Sequence, residues 1–175
     1  AGTDDITLNN SDNDFLGAVT ATGKDVTLKD TNDLNTTVNA SGNVILYAGG
    51  GLAEVLDVTS NSTLTSVGNM TVSGNSQNLT TNTTGTSSTT NFGTTTVRGN
   101  LNTTTNNGNI SQTGPLIVNG TSGLVAGTGD ITLTNADNDF MGAVTAAGDD
   151  LRFKDSNSLS ANLTATSDVE INAGT

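Results

Sequence analysis

Residues 1–30 read AGTDDITLNNSDNDFLGAVTATGKDVTLKD, and residues 126–155 read AGTGDITLTNADNDFMGAVTAAGDDLRFKD. The correspondence runs on to residues 49 and 174 without a gap, and roughly half of the aligned positions are identical. A self-match at a fixed offset, here about 125 residues, marks a repeat architecture. Stacked repeats build length and surface more readily than they build one catalytic pocket.

Inside the matched blocks lies a finer unit. Apolar residues flank a central residue in Ile6-Thr7-Leu8, Val26-Thr27-Leu28, Val44-Ile45-Leu46, Met70-Thr71-Val72, Ile131-Thr132-Leu133, Leu151-Arg152-Phe153 and Val169-Glu170-Ile171. Most of these triplets follow Gly-Asp, Gly-Asn or a close variant. Alternation over so short a span is a strand signal, with residues i and i+2 on one face. Further short strands, Ala18-Val19-Thr20-Ala21 and Thr37-Val38-Asn39-Ala40, lie between the triplets. A spacing of about 20 residues with two or three strands suits one rung of a parallel β-helix, or β-solenoid. The reading is therefore all-β and one solenoid segment over 1–175. Residues 1–50 and 126–175 are homologous, and 51–125 hold less regular rungs. Leu79 to Thr90, LTTNTTGTSSTT, reads as an extended loop or a weakly patterned rung.

One inner column is expected from Ile6, Leu8, Val26, Leu28, Val44, Leu46, Ile131, Leu133, Leu151 and Phe153. About nine rungs at a spacing of about 4.8 Å would give a rod roughly 40 Å long. An antiparallel sandwich is the rival fold, but five aromatic residues are few for its core. Thr, Asn, Ser and Gly dominate, and none of them favours helix.

Leu, Ile, Val and Phe make up only about a fifth of the chain, close to a disordered composition. The periodic placement of those residues argues for a fold. The net charge is −12, with five basic residues and no His, so nucleic-acid binding has no footprint. There is no Cys, and hence no disulfide framework. No apolar run approaches the ~20 residues of a membrane span. The AGT tripeptides at both ends suggest a piece of a longer, or a processed, protein.

Candidate sites are sparse. Asp12-Asn13-Asp14 and Asp137-Asn138-Asp139 cluster oxygen ligands on expected turns. Asp12, Asp14, Asp137 and Asp139 could begin a weak Ca²⁺ site, although Asn and Asp also serve turns through local hydrogen bonds. Apart from Ca²⁺, no cofactor is expected. Phe15 and Phe140 read as stacked core or corner aromatics, and Gly17 and Gly142 as tight corners or residues with positive φ. Asn-x-Ser/Thr sequons are numerous, as expected by chance at this composition. Thr94-Thr95-Thr96 and Thr103-Thr104-Thr105 should each turn their middle Thr inward. Without His, and with Glu54 and Glu170 as the sole glutamates, acid–base catalysis is poorly equipped, so no enzyme is expected.

The phrases GDITLTNADNDFMGAVTAAG, NFGTTTVRGNLNTTTNNGNISQTGPLIVNG and GNVILYAGG resemble the repeat regions of filamentous-haemagglutinin-like exoproteins of Gram-negative bacteria. The resemblance covers most of the chain and fades at about residues 51–90. It implies a right-handed parallel β-helix at the cell surface or outside the cell. It implies export by two-partner secretion through an outer-membrane β-barrel partner, and an adhesive or structural role. Expected partners are then a host or neighbouring-cell receptor or glycan, or a second copy associating end to end. The alternative is a glycan-binding or glycan-degrading β-helix of the tailspike kind.

Overall fold

The computed structural model of the protein describes residues 2–174. Ala1 and Thr175, the outer members of the two AGT tripeptides, lie outside the described residues. Among those described there is no helix. Strands β1 (Ile6–Leu8), β2 (Val19–Gly23), β3 (Val26–Asp30), β4 (Leu34–Ala40) and β5 (Val44–Ala48) occupy the first repeat. The middle holds β6 (Leu52–Val58), β7 (Ser62–Ser66), β8 (Met70–Ser76), β9 (Leu79–Thr83) and β10 (Thr90–Val97). It continues through β11 (Leu101–Thr105), β12 (Ile110–Gln112), β13 (Leu116–Val118) and β14 (Ser122–Val125). The second repeat contributes β15 (Ile131–Leu133), β16 (Asp139–Phe140), β17 (Val144–Gly148), β18 (Leu151–Asp155), β19 (Ala161–Ala165) and β20 (Val169–Ala173).

The chain is a β-solenoid of nine coils. Each coil gives one strand to a sheet ordered β1-β3-β5-β7-β9-β11-β14-β17-β19 and one to a sheet ordered β2-β4-β6-β8-β10-β12-β15-β18-β20. All pairing is parallel. In the first sheet Ile6 stands over Val26, Val26 over Val44, and Val44 over Ser62. Such pairs set the coil length. It is 18 residues from Leu34 to Leu52, 17 from Ser62 to Leu79 and 22 from Leu79 to Leu101. In the longer coils β10 divides, its start pairing with β12 and its end with β13, which carries β16. Thus the extra residues form a short third strip of sheet.

Period-2 alternation fills the core. In β4, Leu34, Thr36, Val38 and Ala40 point inward, and in β6 Leu52, Glu54, Leu56 and Val58 do. Phe140 meets Phe153 edge to face with centroids 6.3 Å apart. The segment from Leu79 to Thr90 belongs to a coil like the others, and after Leu79 its inward positions are Thr81, Thr83 and Thr90. Thr81 donates to Thr103 at 3.0 Å, and Thr83 pairs with Thr90 at 2.7 Å. Buried hydroxyls that satisfy one another replace aliphatic packing there.

The expected column is really two. Ile6, Leu8, Val26, Leu28, Val44 and Leu46 lie in the first sheet, whereas Ile131, Leu133, Leu151 and Phe153 lie in the second. All five strands of the first repeat have counterparts on the opposite sheet: β15 for β1, β17 for β2, β18 for β3, β19 for β4 and β20 for β5. The repeat therefore spans six and a half coils. Leu8 departs from the expected core because no strand stacks before β1; it is 46% exposed while its counterpart Leu133 is buried. The two Thr runs differ as well. Thr95 turns inward, but Thr104 turns out between buried Thr103 and Thr105, a phase set by inward-facing Leu101.

Ile131 is fully buried between Ile110 and Leu151. Ile131→Asp places an unpaired charge in a core two side chains thick. We predict destabilisation above about 4 kcal/mol, read as a collapsed circular dichroism melt. A melt like that of the parent chain would contradict the column.

Candidate functional site: the corner ladders and a buried carboxyl

A strand's first N–H donates to a backbone carbonyl of the next coil, as Val44 N does to Asn61 O at 2.8 Å. The N–H one residue earlier is taken, at many corners, by the side chain of an Asp or Asn that stands just before the strand of the preceding coil. Ahead of the first sheet these residues are Asp5, Asp25, Asn43, Asn61, Asn78 and Asn100. Asn43 N donates to Asp25 Oδ1 at 2.7 Å, Asn100 N to Asn78 Oδ1 at 2.7 Å, and Thr121 N to Asn100 Oδ1 at 2.9 Å. Side chains join in, with Asn78 Nδ2 donating to Asn61 Oδ1 at 2.7 Å. A second ladder precedes the other sheet. Asp130 N donates to Asn109 Oδ1 at 2.9 Å, Asp150 N to Asp130 Oδ1 at 3.2 Å, and Asp168 N to Asp150 Oδ1 at 3.1 Å. Hydrogen bonds from Asp168 N and Arg152 hold the half-buried Asp150 carboxyl below the usual carboxylate range.

The ladders explain the Gly-Asx pairs noted in the sequence. A Cβ on Gly42 would overlap the Asp25 carboxylate, and one on Gly99 would overlap the Asn78 amide. Glycine in one coil leaves room for the Asx side chain of the coil before it. At Gly51 the ladder lacks a side chain, and with Ala53 beside it a groove of about 230 Å³ opens between Asp33, Asn35, Asn69 and Thr71. Its one carboxylate, Asp33, accepts from Gly51 N at 2.6 Å, and no aromatic ring lines it.

The Asp-Asn-Asp clusters form a second kind of inter-coil tie. Asn13 Nδ2 donates to Leu8 O at 3.0 Å and Lys29 O at 3.3 Å; Asn138 Nδ2 donates to Leu133 O at 3.1 Å and Lys154 O at 3.2 Å. Asp14 and Asp139 each accept from the next coil, through Asn32 Nδ2 and Asn157 Nδ2, both at 2.9 Å. The backbone N–H groups of Asp12 and Asp137 close local turns on Asn10 and Asn135. The same network therefore forms on opposite sheets. Among the described residues no three acidic side chains gather into a group that could hold a metal ion. Asn138 does more than Asn13, because a coil lies before it: its Oδ1 accepts from Leu116 N at 2.9 Å and Gln112 Nε2 at 2.8 Å.

Phe140 is buried and Phe15 half-buried at these corners. Gly17 and Gly142 do not have positive φ, contrary to one of the two expectations for them. Gly142 is instead required by close approach, since a Cβ would meet the Gly120 carbonyl, whereas nothing lies near Gly17.

Nothing in the sequence pattern marks where Glu54 sits. It is 2% exposed, it points into the core, and neither carboxyl oxygen has a hydrogen-bond partner. Its register neighbours are Thr36, whose hydroxyl is also unpartnered, and Val72. Burial pushes its pKa from 4.5 up to about 8, against a smaller opposing pull from the backbone of Val38, which lies too far or too oblique for a full hydrogen bond. The native state then keeps a proton that the unfolded chain loses above about pH 4.5. Stability from this group is intact below pH 4.5, falls as pH rises toward 8, and levels off above it. The total amounts to several kcal/mol, each tenfold change in proton affinity being worth about 1.4 kcal/mol. We predict that Glu54→Gln removes this slope between pH 5 and 8 in urea unfolding. An unchanged slope would show that Glu54 ionises in the folded protein near its ordinary pKa.

The fold and its ladders define a repeat protein of the β-solenoid class. Residues 1–22 and 76–147, together more than half of the chain, match the model of a family described as repeats of unknown function (DUF5649), and the chain belongs to that family. The two matches end at equivalent positions of the internal repeat, Thr22 and Ala147. No curated protein and no solved structure matches the chain.

Proposed function

We propose that the chain is a structural and adhesive segment of a large exported bacterial surface fibre, a rigid rod and interaction surface without catalysis. One observation carries this reading: the polar side chains at the corners are copied from coil to coil as ladders instead of converging on one place. Asp25, Asn43, Asn78 and Asn100 hold neighbouring coils, and Asp14 and Asp139 repeat one tie on two faces. Glu54, one of two glutamates, is locked in the core. Nine coils at about 4.8 Å give a rod near 40 Å long. The resemblance to filamentous-haemagglutinin-like exoproteins supplies the rest of the proposal: export through an outer-membrane two-partner transporter, an extracellular location, and a cell-surface receptor or glycan as target. The acidic surface keeps such a rod soluble, and Ca²⁺ at Asp12, Asp14, Asp137 and Asp139 would be an accessory at most.

Antibodies raised against the purified chain test the location. They are expected to label intact cells of the source bacterium, or to find the protein in its medium. Labelling that appears only after lysis would contradict the proposal.

A further inference from the structure

Along the first sheet the inward residues change character. β3 and β5 present Val26, Leu28, Val44, Leu46 and Ala48 to the core, with Asp30 as the polar exception. β7 presents Ser62, Leu64 and Ser66, β9 presents Leu79, Thr81 and Thr83, and β11 presents Leu101, Thr103 and Thr105. Three consecutive strands thus carry one apolar residue and two buried hydroxyls each. These hydroxyls bond to one another or to nearby groups. Ser76 donates to Ser62 at 2.9 Å, Ser66 donates to Gly68 O at 2.8 Å, and Thr105 donates to Gly108 O. Thr81 and Thr83 are paired with Thr103 and Thr90. By contrast, β4 and β6 bury six aliphatic side chains besides Thr36 and Glu54.

Water can make the same hydrogen bonds as these hydroxyls, so a satisfied pair adds little net stability. Each hydroxyl standing where a methyl group would fit also forgoes apolar burial. The coils from β7 to β11 therefore hold out water less firmly than the coils on either side. The backbone departs from regularity in the same place. Among the described residues, two other than glycine have positive φ, Ser87 at 60° and Asn107 at 61°. They sit at the corners after β9 and β11, and a side chain in this left-handed region is strained by its own Cβ. The pairing of β8 with β10 breaks register between Phe92 and Thr95, beside Gly74 with φ of 100°. Coil length changes there too, from 17 residues before Leu79 to 22 after it.

We propose that the coils from β7 to β11 are a built-in opening segment, where the rod loosens and bends while the apolar coils on both sides stay folded. In a stacked repeat each coil is held by its neighbours alone, so a weak interface parts locally without unfolding the whole. The inference concerns the solenoid itself and does not rest on the surface-fibre reading.

Hydrogen exchange of the whole chain, read by mass spectrometry, tests it. Amides of β9 and β11 are expected to exchange about tenfold faster, or more, than those of β5 and β6 on one side and β15 and β18 on the other. Fraying from the ends gives the reverse profile, with the middle slowest. Thr81→Val combined with Thr103→Val replaces a buried hydroxyl pair by apolar groups of similar shape. The double variant should slow exchange in β9 and β11 several-fold and leave β5 and β18 unchanged. Equal or greater protection of β9 and β11 in the parent chain would overturn the proposal. So would a folded double variant in which β9 and β11 exchange as fast as before.

Discussion

Every coil of this molecule depends on handing its backbone N–H groups along the axis to the neighbouring coil. Within the two sheets the parallel ladders do this without help from side chains. At the corners, where the sheet ladder stops, the N–H just before a strand is handed to a side chain instead of a carbonyl. An Asp or Asn before many of the strands accepts it, as Asp25 and Asn78 do, and glycine in the adjoining coil makes space for that side chain. The unusual composition follows from this constraint. A narrow core needs few apolar residues, while the corners need many Asn, Asp and Gly.

Because the same solution recurs at each coil, the molecule can lengthen by copying, and the copies need not face the same way. The long repeat covers six and a half coils, so the Asn13 and Asn138 ties form on opposite sheets with nearly the same geometry. A loop duplicated at this spacing is displayed on both sides of the rod, about 31 Å apart along the axis at about 4.8 Å per coil. That suits an extended scaffold better than a pocket, where side chains from a single neighbourhood must converge. Glu54 is an exception to the repetitive logic: a carboxyl turned into the core, where burial raises its pKa.

The solenoid was legible because apolar residues at i and i+2, as in Val26 and Leu28, recur at coil spacing. The corner ladders were only half legible. Gly-Asx pairs were visible, but a local turn and a bond to the next coil use the same residues. Thr81, Thr83 and Thr103 hid a core coil inside a stretch that reads as polar, because hydroxyl pairs are invisible until register is known. The half-coil offset was hidden for a related reason. An offset of about 125 residues does not tell six coils from six and a half when coil length varies between 17 and 22 residues.

Cysteine pairs test that register most directly, in a chain with no cysteine of its own. Thr132 stands beside Ser111 in one sheet, while Asn102 belongs to the other. Neighbours in a parallel ladder are close enough for a disulfide, which needs Cα atoms within about 7 Å. With cysteines at 111 and 132, mild oxidation should form an intramolecular bridge, seen as a gel shift reversed by reductant. Cysteines at 102 and 132 should not form one. Bridging of 102 to 132 with none between 111 and 132 would put both copies of the repeat on one sheet and contradict the account.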